Sequence, residues 1–128
     1  MALILSADDD PDIRSLIKRI LESSGHRVVL AVDGQAALET AFTHAAELDL
    51  IILDVEMPRM RGLDACRALR DDPRTGHLPV IIASGSVMPP YDDVQGAGAN
   101  TCVQKPFSTK ELRDAVEREL TAASTARP

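Results

Sequence analysis

Short apolar runs alternate with amphipathic stretches along almost the whole chain, and this alternation restricts the fold more than any other feature of the sequence. Ala2 to Ala7 reads as a buried strand. Asp10-Pro11 then offers an N-cap with proline at the first helical position, and Ile13, Leu16, Ile17, Ile20 and Leu21 follow at helical spacing until Gly25. Arg27 to Ala31 reads as a second strand, and Asp33 caps a helix that turns Leu38, Ala41, Phe42 and Ala45 inward. Asp49 to Leu53 is apolar on both faces, the pattern of a central strand in a sheet covered on two sides.

Met57-Pro58 and Gly62 mark a loop, after which Leu63, Cys66 and Leu69 lie on one face of a helix ending near Asp72-Pro73. Pro79 to Ala83 is the fourth strand. Pro89-Pro90, Gly96 and Gly98 leave room for only a weak helix between Tyr91 and Ala97, and Thr101 to Gln104 forms a short fifth strand. Ser108 and Glu111 make a capping box ahead of a helix with Leu112, Ala115, Val116 and Leu120 inward. Strands separated by helices imply right-handed crossovers, hence an α/β fold with a parallel sheet and helices on both faces. The 128 residues suit one domain, placed at residues 1–121, with 122–128 as a flexible tail or truncated linker.

Composition narrows the function classes. Twenty acidic against fourteen basic side chains give a net charge of −6, which argues against direct nucleic-acid binding or an anionic membrane surface. The longest apolar runs, Leu3 to Leu5 and Leu50 to Leu53, are far short of the ~20 residues of a membrane span, and no leader pattern precedes them. The expected location is the cytoplasm. Cys66 and Cys102 belong to no CxxC or Cys/His cluster and read as reduced, buried thiols.

In open α/β sheets ligands bind beyond the carboxyl ends of the strands, where the strand order reverses. Asp8, Asp9 and Asp10 follow strand one, Asp54 ends strand three, Ser84 ends strand four and Lys105 ends strand five. Each has a plainer reading: a helix cap for the acidic run, a loop carboxylate for Asp54, a snorkelling surface lysine for Lys105, loop polarity for Ser84. Their joint placement at one sheet edge carries the inference instead. Crowded carboxylates raise one another's pKa values unless a cation neutralises them, and a site built of oxygen donors suits Mg²⁺, with Mn²⁺ as a substitute, better than zinc. With Lys105 and Ser84 alongside, the site suits a phosphoryl group. Asp54, after the central strand, is the candidate nucleophile for an aspartyl phosphate.

Ile4-Leu5-Ser6-Ala7-Asp8-Asp9-Asp10-Pro11, Leu50-Ile51-Ile52-Leu53-Asp54 with Met57-Pro58 and Gly62, Ile82-Ala83-Ser84-Gly85 and Lys105-Pro106-Phe107 together resemble the receiver domain of two-component response regulators. The resemblance runs from about Leu3 to Leu120. It implies a doubly wound, flavodoxin-like sheet of order 2-1-3-4-5. It implies that Asp54 accepts a phosphoryl group from the phosphohistidine of a sensor histidine kinase or phosphotransfer protein, or from acetyl phosphate. Asp9, Asp54 and the Glu56 backbone carbonyl would ligate Mg²⁺, with Asp8 acting through water. Lys105 and Ser84 would hold phosphoryl oxygens. The chain would then be no enzyme but a phosphoacceptor that assists its own phosphorylation and dephosphorylation, and that switches a surface read by a downstream effector protein.

Some positions depart from the family's pattern. Cys102 stands where an aromatic switch residue is usual, Arg61 where an acidic residue is frequent, and Tyr91 is a candidate to supply the missing ring. Glu56 and Ser86, two residues after Asp54 and Ser84, together with Gly85 and Cys102, are the expected modulating positions. Two other functions compete: a receiver-like module that binds partners without phosphate, and a Mg²⁺-dependent phosphohydrolase working through an aspartyl phosphate. The hydrolase is disfavoured by Glu56 in place of a second aspartate and by a length without room for a capping domain. The expected assembly is a monomer or weak dimer.

Overall fold

The computed structural model describes residues 2–57, 59–85 and 91–126, with side chains at 91, 92 and 124–126 excepted. Ten elements alternate: β1 (Leu3–Ala7), α1 (Pro11–Ser23), β2 (Arg27–Ala31), α2 (Gly34–Thr43), β3 (Leu50–Asp54), α3 (Gly62–Asp71), β4 (Val80–Ser84), α4 (Tyr91–Gly96), β5 (Thr101–Gln104) and α5 (Thr109–Ala126). All strand pairings are parallel, and the order is β2-β1-β3-β4-β5, as the resemblance implied.

The local signals act as their chemistry requires. Asp10 caps α1 by accepting from the Asp12 and Ile13 amides, and Pro11 fills the first helical position, where no amide partner is needed. Asp33 caps α2 through the Ala36 amide. In the capping box of α5, the Glu111 amide donates to Ser108 Oγ at 3.0 Å and the Ser108 amide to Glu111 Oε1 at 3.3 Å.

Side-chain alternation along the strands divides the core into two layers. Ile4, Leu50, Ile52, Ile81, Ala83 and Val103 face α1 and α5, whereas Leu3, Leu5, Ile51, Leu53, Val80 and Ile82 face α2, α3 and α4. β1, β3 and β4 are buried over their full length, the condition for central strands covered on both faces.

Three sequence expectations shift. β3 runs from Leu50 to Asp54, so Asp49 lies outside it, where its carboxylate accepts from the Leu3 amide at 2.9 Å, and Asp54, paired with Ala83, is the last residue of the strand itself. The segment assigned to a flexible tail begins as helix, since α5 continues to Ala126 through alanines that favour helix. Cys66 is buried, but Cys102 is only half-buried, and neither forms a disulfide. Burial raises the pKa of each, so they stay protonated. The short α4 matches the weak helix expected between Tyr91 and Ala97. Pro89, Pro90 and the ring of Tyr91 lie outside the described residues. Arg70 of α3 anchors the turn after α4, donating to the Gly98 carbonyl at 2.8 Å and to Asn100 Oδ1 at 2.7 Å.

Candidate functional site

The sheet reverses its order between β1 and β3, and the carboxyl ends of these two strands supply the acidic half of a cleft. Asp8 and Asp54 continue the alternating series 4-6-8 and 50-52-54, so both point to the α1/α5 side of the sheet. Lys105 continues the series of Val103 on β5 and meets them there. The Lys105 amide donates to the Ser84 carbonyl at 2.6 Å, which carries the β4–β5 pairing right up to the site. The Lys105–Pro106 peptide bond is cis.

Lys105 Nζ lies 2.6 Å from Asp8 Oδ2 and 3.1 Å from Asp54 Oδ1. The Asp8 carboxylate also accepts from the Asp10 amide at 2.9 Å, and its backbone carbonyl accepts from Arg14 Nη1 at 2.8 Å. Asp8, Asp54 and Ser84 are buried, whereas Asp9 and Glu56 are exposed at the rim. Asp8, Asp9, Asp10, Asp54, Glu56, Ser84, Gly85 and Lys105 line one cleft of about 370 Å³.

Five carboxylate side chains line this space with one ammonium. Burial first, and then the Asp8 charge, push the Asp54 carboxyl up to about 6, with Lys105 pulling it back. Burial alone would lower the Lys105 pKa, but the Asp8 and Asp54 carboxylates outweigh it and hold the value above the ordinary lysine range.

One carboxylate oxygen from each of Asp8, Asp9 and Asp54 falls within 4.8 Å of the others. An all-oxygen set of this size, electrostatically under-compensated and partly open to water, fits a hard divalent cation that keeps some of its waters. Asp10 keeps the plainer role of helix cap. Cys102 is not among the residues lining the cleft; its side chain packs against the core layer under α2, α3 and α4. Ser86 lies outside the described residues.

Backbone packing fixes Asp54 as firmly as its strand does. A Cβ on Gly62 would lie 2.1 Å from the Asp54 carbonyl oxygen, so only glycine lets α3 start against the end of β3. Sequence reasoning read Gly62 as a loop marker and missed this support. It also missed Arg14, whose spacing from the acidic run gives a contact only once α1 is docked on the sheet.

Among the described residues no helix is long and apolar enough to cross a membrane.

Comparison with known proteins agrees with the geometry. Residues 4–117 match the response regulator receiver domain family. The chain is 40% identical over 116 residues to the transcriptional regulatory protein CpxR of Escherichia coli K12, covering 88% of this chain and 46% of that protein. It is 34% identical over 117 residues to the chemotaxis protein CheY of Pseudomonas aeruginosa, covering 90% of this chain and 93% of CheY. The chain thus spans about half the length of CpxR and nearly all of CheY.

Among solved structures, Vibrio cholerae CheY4 superposes with a TM-score of 0.86 at 30% identity, covering 93% of this chain and 98% of that one. The receiver domain of the Pseudomonas aeruginosa sensor histidine kinase PA1611, which has a magnesium ion in its active-site cleft, superposes with a TM-score of 0.84 at 29% identity, covering 94% and 98%. The family match over most of the chain, the sheet order and the acidic cleft agree: this chain belongs to the response regulator receiver domain family of two-component signalling.

Proposed function

We propose that Asp54 is the phosphoacceptor of a two-component or phosphorelay system, and that phosphorylation there, supported by Mg²⁺, switches a surface read by an effector protein. The observation that carries this reading is the Lys105 ammonium held between Asp8 and Asp54 at the mouth of the acidic cleft. A lysine engaged by two carboxylates can be drawn to an arriving phosphoryl oxygen, and so shield the approach of one anion to another.

In the reaction a carboxylate oxygen of Asp54 attacks phosphorus. The new P–O bond forms as the P–N bond to the donor's imidazole breaks, and the departing nitrogen takes a proton from solvent. Asp8, Asp9, Asp54 and the Glu56 carbonyl are the groups proposed to hold Mg²⁺, Asp8 through water, with Mn²⁺ able to replace it. The ion would supply neutralising charge at the phosphoryl oxygens. Lys105 binds one oxygen and Ser84 donates to another, so the chain's contribution is positioning and charge compensation, in keeping with a phosphoacceptor more than an enzyme. Glu56 and Gly85 border the cleft, where a side chain at 56 governs the approach of water to the acyl phosphate; Ser86 is assigned the same kind of influence. The donor is a sensor histidine kinase or histidine phosphotransfer protein, and cytoplasmic placement follows from that partner.

Incubation with acetyl phosphate and Mg²⁺, followed by intact-mass spectrometry, tests the reading. The wild type gains a phosphoryl adduct that requires the metal, and Asp54→Ala gains none. An absent adduct in the wild type would point to a module that works without phosphate. Rapid multiple turnover of phosphate esters would point to a hydrolase.

A further inference from the structure

The loop from β3 to α3 carries Glu56 and has no regular structure of its own, so its shape depends on what it packs against. Its two ends are fixed by backbone: the Val55 amide donates to the Ala83 carbonyl at 3.0 Å, and the Gly62 amide donates back to the Val55 carbonyl at 3.0 Å. The middle rests on the first residues of α2. A Cβ on Gly34 would lie 2.3 Å from the Met60 carbonyl oxygen, so the loop sits in direct contact with the bare backbone of that helix start.

Beside this contact, Arg59 Nη1 donates to Asp33 Oδ2 at 3.0 Å. Arg59 has φ of 69°, a left-handed conformation that is costly for a non-glycine residue and persists only where the surroundings enforce it. The Asp33 carboxylate is buried, and its other oxygen already caps α2 by accepting from the Ala36 amide at 2.8 Å. Capping alone does not call for a buried anion, since asparagine or serine caps equally well. The charge of Asp33 is accounted for by the guanidinium that crosses from the loop.

We propose that Asp33 and Arg59 are positioning residues of the metal site: their ion pair, next to the Gly34–Met60 contact, holds the loop so that the Glu56 carbonyl stays turned to the cleft. This rests on the reading of that carbonyl as a Mg²⁺ ligand. It makes the amino end of α2 part of the site's support, although α2 contributes no residue to the cleft lining. Supports of this kind act on affinity by keeping a ligand oriented before the ion arrives.

Asp33→Asn separates the tether from the cap, because asparagine keeps the acceptor for the Ala36 amide and loses the charge. Arg59→Gln removes the other partner. Mg²⁺ titration calorimetry on wild type, both single variants and the double variant reads the affinity, while thermal unfolding in EDTA reads the metal-free fold. Each single variant is expected to weaken Mg²⁺ binding about three- to tenfold, with its unfolding midpoint in EDTA near that of the wild type, and the double variant is expected to be no weaker than either single. Unchanged affinity in both singles, or losses that add in the double, would overturn the proposal. If the variants match a wild type that binds Mg²⁺, the positioning role alone falls. A wild type that binds no Mg²⁺ removes the metal reading and the positioning role with it.

Discussion

In the metal-free protein, an ionised Asp54 carries a cost that its environment sets. Its carboxyl titrates near 6 against an ordinary 3.8, because burial and the Asp8 charge penalise the anion more than Lys105 favours it. The folded state therefore binds the proton more tightly than the unfolded state does. That contribution to stability is complete below about pH 4 and is lost as pH rises through about 6. Asp54→Asn, which cannot ionise, escapes the loss. In EDTA at pH 7.5 it should be more stable than the wild type by about 1–3 kcal/mol in chemical denaturation, and the advantage should disappear by pH 4. An equal advantage at both pH values would show that the ionised carboxylate is not its source. Mg²⁺ should narrow the gap at neutral pH, because the cation compensates the charge that the variant lacks.

At the scale of elements, the site depends on how closely α3 approaches β3. Gly62 is the contact point, and a methyl group there would collide with the Asp54 backbone. Gly62→Ala is expected to destabilise the fold by about 1–3 kcal/mol and to slow phosphoryl uptake, since relief of the clash must move Asp54 or the loop. Gly96→Ala, with open space around the added carbon, is the matched control and should leave both unchanged or slightly improved. Denaturant midpoints and adduct formation in the two variants make the comparison; a neutral Gly62→Ala would mean that the close approach is not needed. Element identity was legible in the sequence because caps and periodicity are local: Asp10, Asp33 and the Ser108–Glu111 box mark helix starts that the structure reproduces. The supports were not legible. Gly34 against Met60 and Arg59 with Asp33 join positions 26 residues apart, and Gly62 meets Asp54 only through the turn between β3 and α3, so no local pattern records which backbone will press on which helix.

For the molecule as a whole, the parallel sheet turns separated residues into one site. Asp8, Asp54 and Lys105 sit at the carboxyl ends of β1, β3 and β5, and side-chain alternation puts all three on the α1/α5 side at one edge of the sheet. The shared edge was legible in the residues and the strand order in the resemblance, whereas the common α1/α5 side needed the observed strand register. The route by which the site would reach the effector-binding surface was less legible. Cys102 occupies the position where an aromatic switch is usual, and it packs against the core layer opposite to the one that carries Asp8, Asp54 and Lys105. On the proposed function, the acidic cleft places a phosphoryl group on one particular carboxylate. Borohydride reduction of the acetyl-phosphate-treated protein converts an acyl phosphate to an alcohol, so peptide sequencing by mass spectrometry reads the acceptor directly. Homoserine is expected at position 54 in samples containing Mg²⁺ and aspartate there in samples without it. Homoserine at position 8 or 9, or at no position, would contradict that proposal.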